Sequence, residues 1–309
     1  MTSFAFPGQG SQFFGMCRDF YENFDISKNV IQEIEDITLM PIKKIIFDED
    51  SGKLNLTNYT QICIFAASMS IFKVIEKKIN LKKFNINTML GHSLGEYTAL
   101  CASSKIDLSS ASKLLKLRGE LMNNAIESNL SGMAALIGLG SKDVEKIIND
   151  NKLEIFIAND NTPQQVVISG MIENIKHSEN IFIKNGAKKF VLLNVSAAFH
   201  SPIMLNAQKK LQISIENINF NESKISILSN FSAKISNNII DIKSSLINQM
   251  ANKVRWRESV DSLAKTGDFE IVEIGPGKIL SGLIKRINNN FSIISINSIN
   301  DLKLLENSN

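Results

Sequence analysis

The 309-residue chain is 44% hydrophobic and carries 34 Lys+Arg against 31 Asp+Glu, a formal charge of +3. That is enough apolar material for one large α/β domain or a domain carrying an insertion, and the charge is too balanced for a nucleic-acid surface without a clustered basic face. No export signal is read at the N-terminus and no apolar run approaches the roughly 18 residues of a membrane span; Cys17, Cys63 and Cys101 are too few and too scattered for a disulfide framework or a zinc site, so a cytoplasmic protein with no bound metal is expected.

Ser3 to Phe6 reads as a first strand, ended by the Pro7-Gly8-Gln9-Gly10 loop, with a helix expected after it. Thr57 to Ile79 predicts a long helix in which Ile62, Phe65, Met69, Phe72 and Ile75 share one buried stripe. Next comes Gly91-His92-Ser93-Leu94-Gly95, a Gly-x-Ser-x-Gly pattern between the apolar Asn87 to Leu90 and the small-residue run Glu96 to Ala102. The pattern alone also fits a turn with an ordinary serine, but strand before and helix after make it a nucleophile elbow, where a strained turn lifts the serine Oγ above a sheet. Ser110 to Ile126 predicts a further helix, carrying Arg118.

From Gly132 the rhythm changes. Strands are predicted at Met133–Leu139, Leu153–Ala158, Gln165–Ser169 and Lys189–Val195, with helices from a Ser141 cap to Asn151 and from Glu173 to Asn185, the latter closed by Gly186. This βαββαβ order is ferredoxin-like. Residues 129–195 are therefore expected to form a subdomain inserted into a catalytic core of residues 1–128 and 196–309. The core resumes with strands at Ile225–Ser229 and Glu270–Ile274, a helix across Ile242–Met250, and another helix after Gly275-Pro276-Gly277. The polar tail from Glu306 is expected to fray.

A serine nucleophile needs a base, and the chain offers His92, His177 and His200. His92 adjoins the serine and its side chain points away; His177 lies in a polar helix face. His200, where the inserted segment returns the chain to the core, is the candidate. Asp107, Asp143 and Asp160 fall between serine and histidine but none follows a strand, so no acid is assigned; a backbone carbonyl can orient an imidazole equally well. One oxyanion donor should be the Leu94 N–H, and the other should come from the Gly8-Gln9-Gly10 loop. A dinucleotide loop there is disfavoured, because Phe13 occupies the third glycine position.

Five ordered motifs carry a resemblance: Phe6 to Gln12, Gly91 to Tyr97, Arg118-Gly119 with Met122, Ala198 to Ser201, and Glu273 to Lys278. Over nearly its whole length the chain resembles the malonyl-CoA:acyl carrier protein transacylase family, kin to the acyltransferase domains of polyketide synthases. The resemblance implies an α/β-hydrolase-like core with a mainly parallel sheet and a ferredoxin-like insert. It implies Ser93 as nucleophile, His200 as base, the Gln9 and Leu94 N–H groups as oxyanion hole, and the Gln249 carbonyl as the group orienting the imidazole. Arg118 would grip the malonyl carboxylate, and Phe199 would crowd the α-carbon and disfavour a methyl branch. Gln61 and Asn159 match positions near the family pocket without a catalytic role. Gln61-Ile62 stands where the family often has Gln-Pro, a departure bearing on local helix geometry.

The implied activity is ping-pong malonyl transfer from malonyl-CoA, as substrate, to a phosphopantetheinylated acyl carrier protein in fatty acid biosynthesis. It requires no bound cofactor, nucleic acid or membrane, and a monomer is expected. Carrier proteins are typically acidic, so Lys188, Lys189, Lys285 and Arg286 are candidates for a basic rim. A serine esterase or thioesterase, and a non-catalytic carrier-binding subunit, are the competing readings.

Overall fold

The computed structural model describes residues 1–127 and 130–306. Ten strands run along the described chain: β1 (Thr2–Phe6), β2 (Ile86–Gly91), β3 (Ser131–Ile137), β4 (Ile155–Thr162), β5 (Gln165–Met171), β6 (Lys189–Leu192), β7 (Ser226–Leu228), β8 (Ile235–Ser236), β9 (Glu270–Ile274) and β10 (Ser292–Ile296). They form two sheets, ordered β10-β9-β1-β2-β7-β8 and β4-β5-β3-β6. The fold is α/β. In the larger sheet every pairing is parallel except that of the short β8. All five residues of β1 are buried, and its Phe4-Ala5-Phe6 half has the continuous apolar character of a parallel strand covered on both faces, while Thr2 and Ser3 are buried polar residues at its start.

Register positions the site. Phe6 at the end of β1 lies opposite Gly91 at the end of β2, and β9 flanks β1 on its other side. The loops leaving these strands at Pro7, His92 and Gly275 therefore gather at the carboxyl edge of the sheet, where open α/β sheets bind their ligands. The helix Thr57–Lys78 packs behind this edge. Sequence periodicity predicts one buried stripe there, whereas the helix is buried nearly all round: Ala66, Ala67, Ser68 and Ser70 are as inaccessible as Phe65 and Met69. Small side chains on the second face let neighbouring elements approach, and Ser70 satisfies its hydroxyl on the Ala67 carbonyl at 2.9 Å. The helix passes through Gln61-Ile62 without a break.

The smaller sheet is wholly antiparallel. The segment that forms it departs from the expected bounds at a helix start and at strand ends, of which those of β4 and β6 bear on the site. Helix Ser141–Asp150 is capped at Gly140, with Ser141 as its first residue; the Asp143 carboxylate reaches back to the Gly140 N–H at 3.4 Å. β4 continues to Thr162 because its far end joins the core: the Asp160 N–H donates to the Val254 carbonyl at 2.9 Å and the Val254 N–H to the Ala158 carbonyl at 2.8 Å. β6 stops at Leu192, three residues short of the expected Val195, and the chain then turns towards the cavity that Leu193 and Val195 line. Arg257 and buried Asp160 add an ion pair at 2.8 Å, so the small sheet is fastened over the carboxyl edge of the large one. The first helix after β1 begins only at Arg18, so the Gly8-Gln9-Gly10 loop does not run directly into a helix as a dinucleotide-binding turn does. In the expected fraying tail, Glu306 ends a short helix, and residues 307–309 lie outside the described residues.

Candidate active site

Ser93 stands between β2 and the helix Leu94–Ala102 with φ 53° and ψ −109°, a conformation that costs a non-glycine residue roughly 1–3 kcal/mol. The glycines around it make the turn sterically possible. A Cβ on Gly95 would lie 2.1 Å from the Phe6 carbonyl oxygen, and one on Gly8 would lie 2.4 Å from the His92 carbonyl oxygen. Both obstacles are backbone, so neither can step aside. Gly95→Ala is expected to destabilise the fold by about 3 kcal/mol or more, whereas Gly282→Ala, in a helix with nothing within 4 Å of the new carbon, should be neutral or slightly stabilising. Urea melts of the two variants check this.

Three of the sequence candidates meet at one oxygen. The Ser93 Oγ–H donates to His200 Nε2 at 2.9 Å, and Arg118 Nη2 donates to the same Oγ at 2.9 Å. The fourth follows: His200 Nδ1 lies 3.1 Å from the Gln249 carbonyl oxygen. A carbonyl only accepts, so the ring proton sits on Nδ1 and Nε2 is left free to accept. Burial, and secondarily the Arg118 charge, push the His200 pKa down to about 3, against a smaller opposing effect of the Gln249 carbonyl. The imidazole is thus neutral near pH 7.

Gln9, Leu94 and Phe199 line the same cavity of about 80 Å³, together with Gln61, Met122 and Asn159. Leu94 is the first residue of its helix, so its N–H has no intrahelical carbonyl to bond. The cavity opens past Gln9, Asn159 and Leu193 into a cleft of about 300 Å³ between the two sheets. His92 turns away from the serine, placing Nε2 2.9 Å from Asn161 Oδ1 and its ring against Trp256. His177 is exposed. The three aspartates are spent elsewhere: Asp107 caps the helix Leu108–Asn123, Asp143 caps its own helix, and Asp160 pairs with Arg257.

Arg118 is only 1% exposed. Its Nη1 donates to Gln61 Oε1 at 2.5 Å and its Nη2 to Gln249 Oε1 at 3.0 Å, while the guanidinium lies 5.4 Å from the centre of the Tyr97 ring. Burial lowers its pKa from the ordinary arginine value. Both terminal nitrogens are held by neutral amide oxygens, and among the described residues no carboxylate pairs directly with the positive charge. Of the four basic rim candidates, Arg286 donates to Gln165 in the cleft wall at 3.2 Å; among the described residues no such bond joins Lys188, Lys189 or Lys285 to that wall.

A family model of the acyl transferase domain matches residues 3–293. The chain belongs to the acyl transferase domain family. It is 35% identical over 313 residues to the malonyl CoA-acyl carrier protein transacylase of Haemophilus influenzae, with 99% of each chain covered. Among solved structures it is similar to the acyl-carrier-protein-S-malonyltransferase of Bartonella henselae, at a TM-score of 0.93, 35% identity, and 98% and 97% coverage of the two chains. It is likewise similar to a malonyl-transacylase solved with a holo type II polyketide synthase acyl-carrier protein, at a TM-score of 0.94, 33% identity and 99% coverage of each. The acyltransferase family resemblance read from the five motifs thus extends over the whole described fold.

Sequence reasoning missed two members of the site. Glu96 and Asn230 are buried beneath the elbow, each bonded to groups that touch Ser93. Glu96 left a signal, being the lone carboxylate in a helix whose every residue is buried. Asn230 left less, because Ser229-Asn230-Phe231-Ser232 reads as an ordinary polar turn.

Proposed function

We propose that this chain transfers the malonyl group of malonyl-CoA to the phosphopantetheine thiol of an acyl carrier protein, supplying extender units for fatty acid biosynthesis. The observation that carries the reading is the meeting of a hydroxyl, a neutral imidazole and a buried guanidinium at Ser93 Oγ. Full-length similarity to enzymes named for this transfer supports it.

Ser93 Oγ attacks the thioester carbonyl while His200 Nε2 takes its proton and Nδ1–H stays on the Gln249 carbonyl. The developing oxyanion is met by the Gln9 and Leu94 N–H groups. Collapse breaks the C–S bond, the imidazolium returns its proton to the CoA thiolate, and malonyl-serine ester remains. The carrier thiol then gives its proton to His200 and attacks the ester, and Ser93 recovers its proton as it leaves. Arg118 receives the malonyl carboxylate in a two-pronged contact that lysine cannot reproduce. Phe199, facing the same cavity, limits branching at the α-carbon; a methyl there is worth about 1–3 kcal/mol of discrimination. This chemistry needs no metal or redox cofactor.

The architecture belongs to the same reading. The parallel sheet with its elbow is an α/β-hydrolase-like core, and the β4-β5-β3-β6 sheet with its two helices is a ferredoxin-like insert at residues 129–195, the first boundary falling at residues 128 and 129, outside the described residues. A cytoplasmic monomer completes it; three free, buried cysteines suit a reducing compartment, and no helix among the described residues is long and apolar enough to cross a membrane.

The test is intact-mass measurement after brief exposure to malonyl-CoA, with Ser93→Ala as control, followed by addition of holo carrier protein. A malonyl adduct that requires Ser93 and moves to the carrier is expected. Loss of the adduct at the same rate without a carrier would instead identify a hydrolase. A second measurement probes the base: because His200 is held near 3, phenylmethylsulfonyl fluoride should label Ser93 at a rate constant within about threefold from pH 5 to 8. A fall to half near pH 6.5 would mean an ordinary, solvated histidine.

A further inference from the structure

The backbone of Ser93 is held by the side chains of two residues, Asn230 and Gln249, both of which also bond a single carboxylate oxygen. The Ser93 N–H donates to Asn230 Oδ1 at 2.6 Å, and the Ser93 carbonyl accepts from Gln249 Nε2 at 2.9 Å. The Asn230 N–H and Gln249 Nε2 then both donate to Glu96 Oε2, at 3.1 and 2.8 Å. Asn230 Nδ2 closes the other side on the Gly91 carbonyl at 2.7 Å.

Gln249 leaves no freedom in this arrangement. Its amide nitrogen serves Glu96 and Ser93, its amide oxygen accepts from Arg118, and its backbone carbonyl accepts from His200. Removing the Glu96 acceptor would release one end of an amide that touches nucleophile, base orientation and arginine together. Glu96 is 0% exposed and is not among the residues lining the cavity at Ser93, so it does not touch a substrate held there.

We propose that Glu96 is the positioning residue of this site, fixing through Gln249 and Asn230 the strained Ser93 backbone and the relative placement of Ser93, His200 and Arg118. The role is one of reach. A carboxyl or carboxamide oxygen at that distance suffices, so the charge is dispensable and the chain length is not. Burial raises the Glu96 pKa to about 7, and a protonated carboxyl keeps the same accepting oxygen. The inference rests on Ser93 as the nucleophile and holds whichever acyl group is carried.

Glu96→Gln, Glu96→Asp and Gln249→Leu separate the possibilities, with rates taken per folded protein after circular dichroism and active-site titration. Each is scored by Ser93 labelling with phenylmethylsulfonyl fluoride, and by kcat and KM for malonyl transfer. Glu96→Gln should stay within about threefold of the parent chain in both. Glu96→Asp, one methylene short, should lose about tenfold or more in labelling rate and kcat, as buried hydrogen-bonded positioning groups do. Gln249→Leu retains the carbonyl on His200 but not the amide, and should match the aspartate variant, deciding the matter even where that variant does not fold. Parent-like labelling and kcat in Gln249→Leu overturns the proposal, as does a Glu96→Gln variant as slow as Glu96→Asp, which would make charge the essential property. Labelling of the parent chain without malonyl transfer would sink the functional reading and leave this one standing; no labelling at all would remove both.

Discussion

His200→Ala is expected to slow acylation of Ser93 by malonyl-CoA by roughly 10⁴-fold, with the fold and its thermal transition retained. The size follows from what is left. Ser93 Oγ would keep its contact with Arg118, which stabilises an alkoxide but cannot carry the proton away, and the Gln9 and Leu94 N–H groups would keep whatever they contribute at the oxyanion. The companion result concerns the imidazole's own support. A backbone carbonyl holds Nδ1 where a serine-histidine-acid triad places a carboxylate, and Asp107, Asp143 and Asp160 are occupied by two helix caps and an ion pair. Asp107→Asn and Asp143→Asn should therefore leave the acylation rate within about threefold of the parent chain. Rapid-quench mass spectrometry of the acyl-enzyme reads all three variants. A hundredfold loss from either aspartate, against no loss from His200→Ala, would reverse the assignment.

The pKa of His200 is low in spite of the carbonyl, which favours the imidazolium. Among the described residues no carboxylate bonds the imidazole, and burial and the Arg118 charge outweigh the Gln249 carbonyl. As the proposed base, His200 is weak but stays in its accepting form near neutral pH, and the nearby cation that depresses it also lowers the cost of forming the serine alkoxide. That balance suits an acceptor such as a thiol, which ionises more readily than water.

How much of this could be read beforehand depends on the distance over which each feature is decided. The elbow was legible because glycine spacing, strand and helix are local, and the close contact of Gly95 with Phe6 is the physical reason for that spacing. His200 was legible by elimination among three histidines. The end of β4 was not, since its last residues pair with Val254, almost a hundred residues away. Nor was the extent of burial of the helix Thr57–Lys78: its apolar period shows one face, while the second is made by small residues whose burial depends on what packs there. Gln61 and Gln249 reach Arg118 across 57 and 131 residues of sequence, and glutamines announce no chemistry by themselves. Their place came from the family resemblance, and their use as amide clamps came from the fold.

Arg118→Ala should lower kcat/KM for malonyl-CoA by a few hundred- to a few thousand-fold, corresponding to the roughly 3–5 kcal/mol lost when a buried charge loses its partner. Acetyl-CoA, which has no carboxylate, should lose far less, so that selectivity falls towards parity or reverses. The free enzyme shows why the charge is poised for a ligand: Arg118 is nearly inaccessible, its terminal nitrogens rest on neutral amide oxygens and on Ser93 Oγ, and its Nε makes no hydrogen bond among the described residues. A bound carboxylate supplies the missing negative charge. Arg118→Lys restores charge without the planar fork, cannot reach Gln61, Gln249 and substrate together, and should recover only a small part of the loss. The alanine variant also leaves the Gln61 and Gln249 oxygens unpaired, which could loosen the site for every donor. Acetyl-CoA therefore serves as the internal control in steady-state kinetics with both thioesters. Equal losses for the two donors would make Arg118 a support of the pocket, whereas a loss confined to malonyl-CoA makes it the group that selects the dicarboxylate.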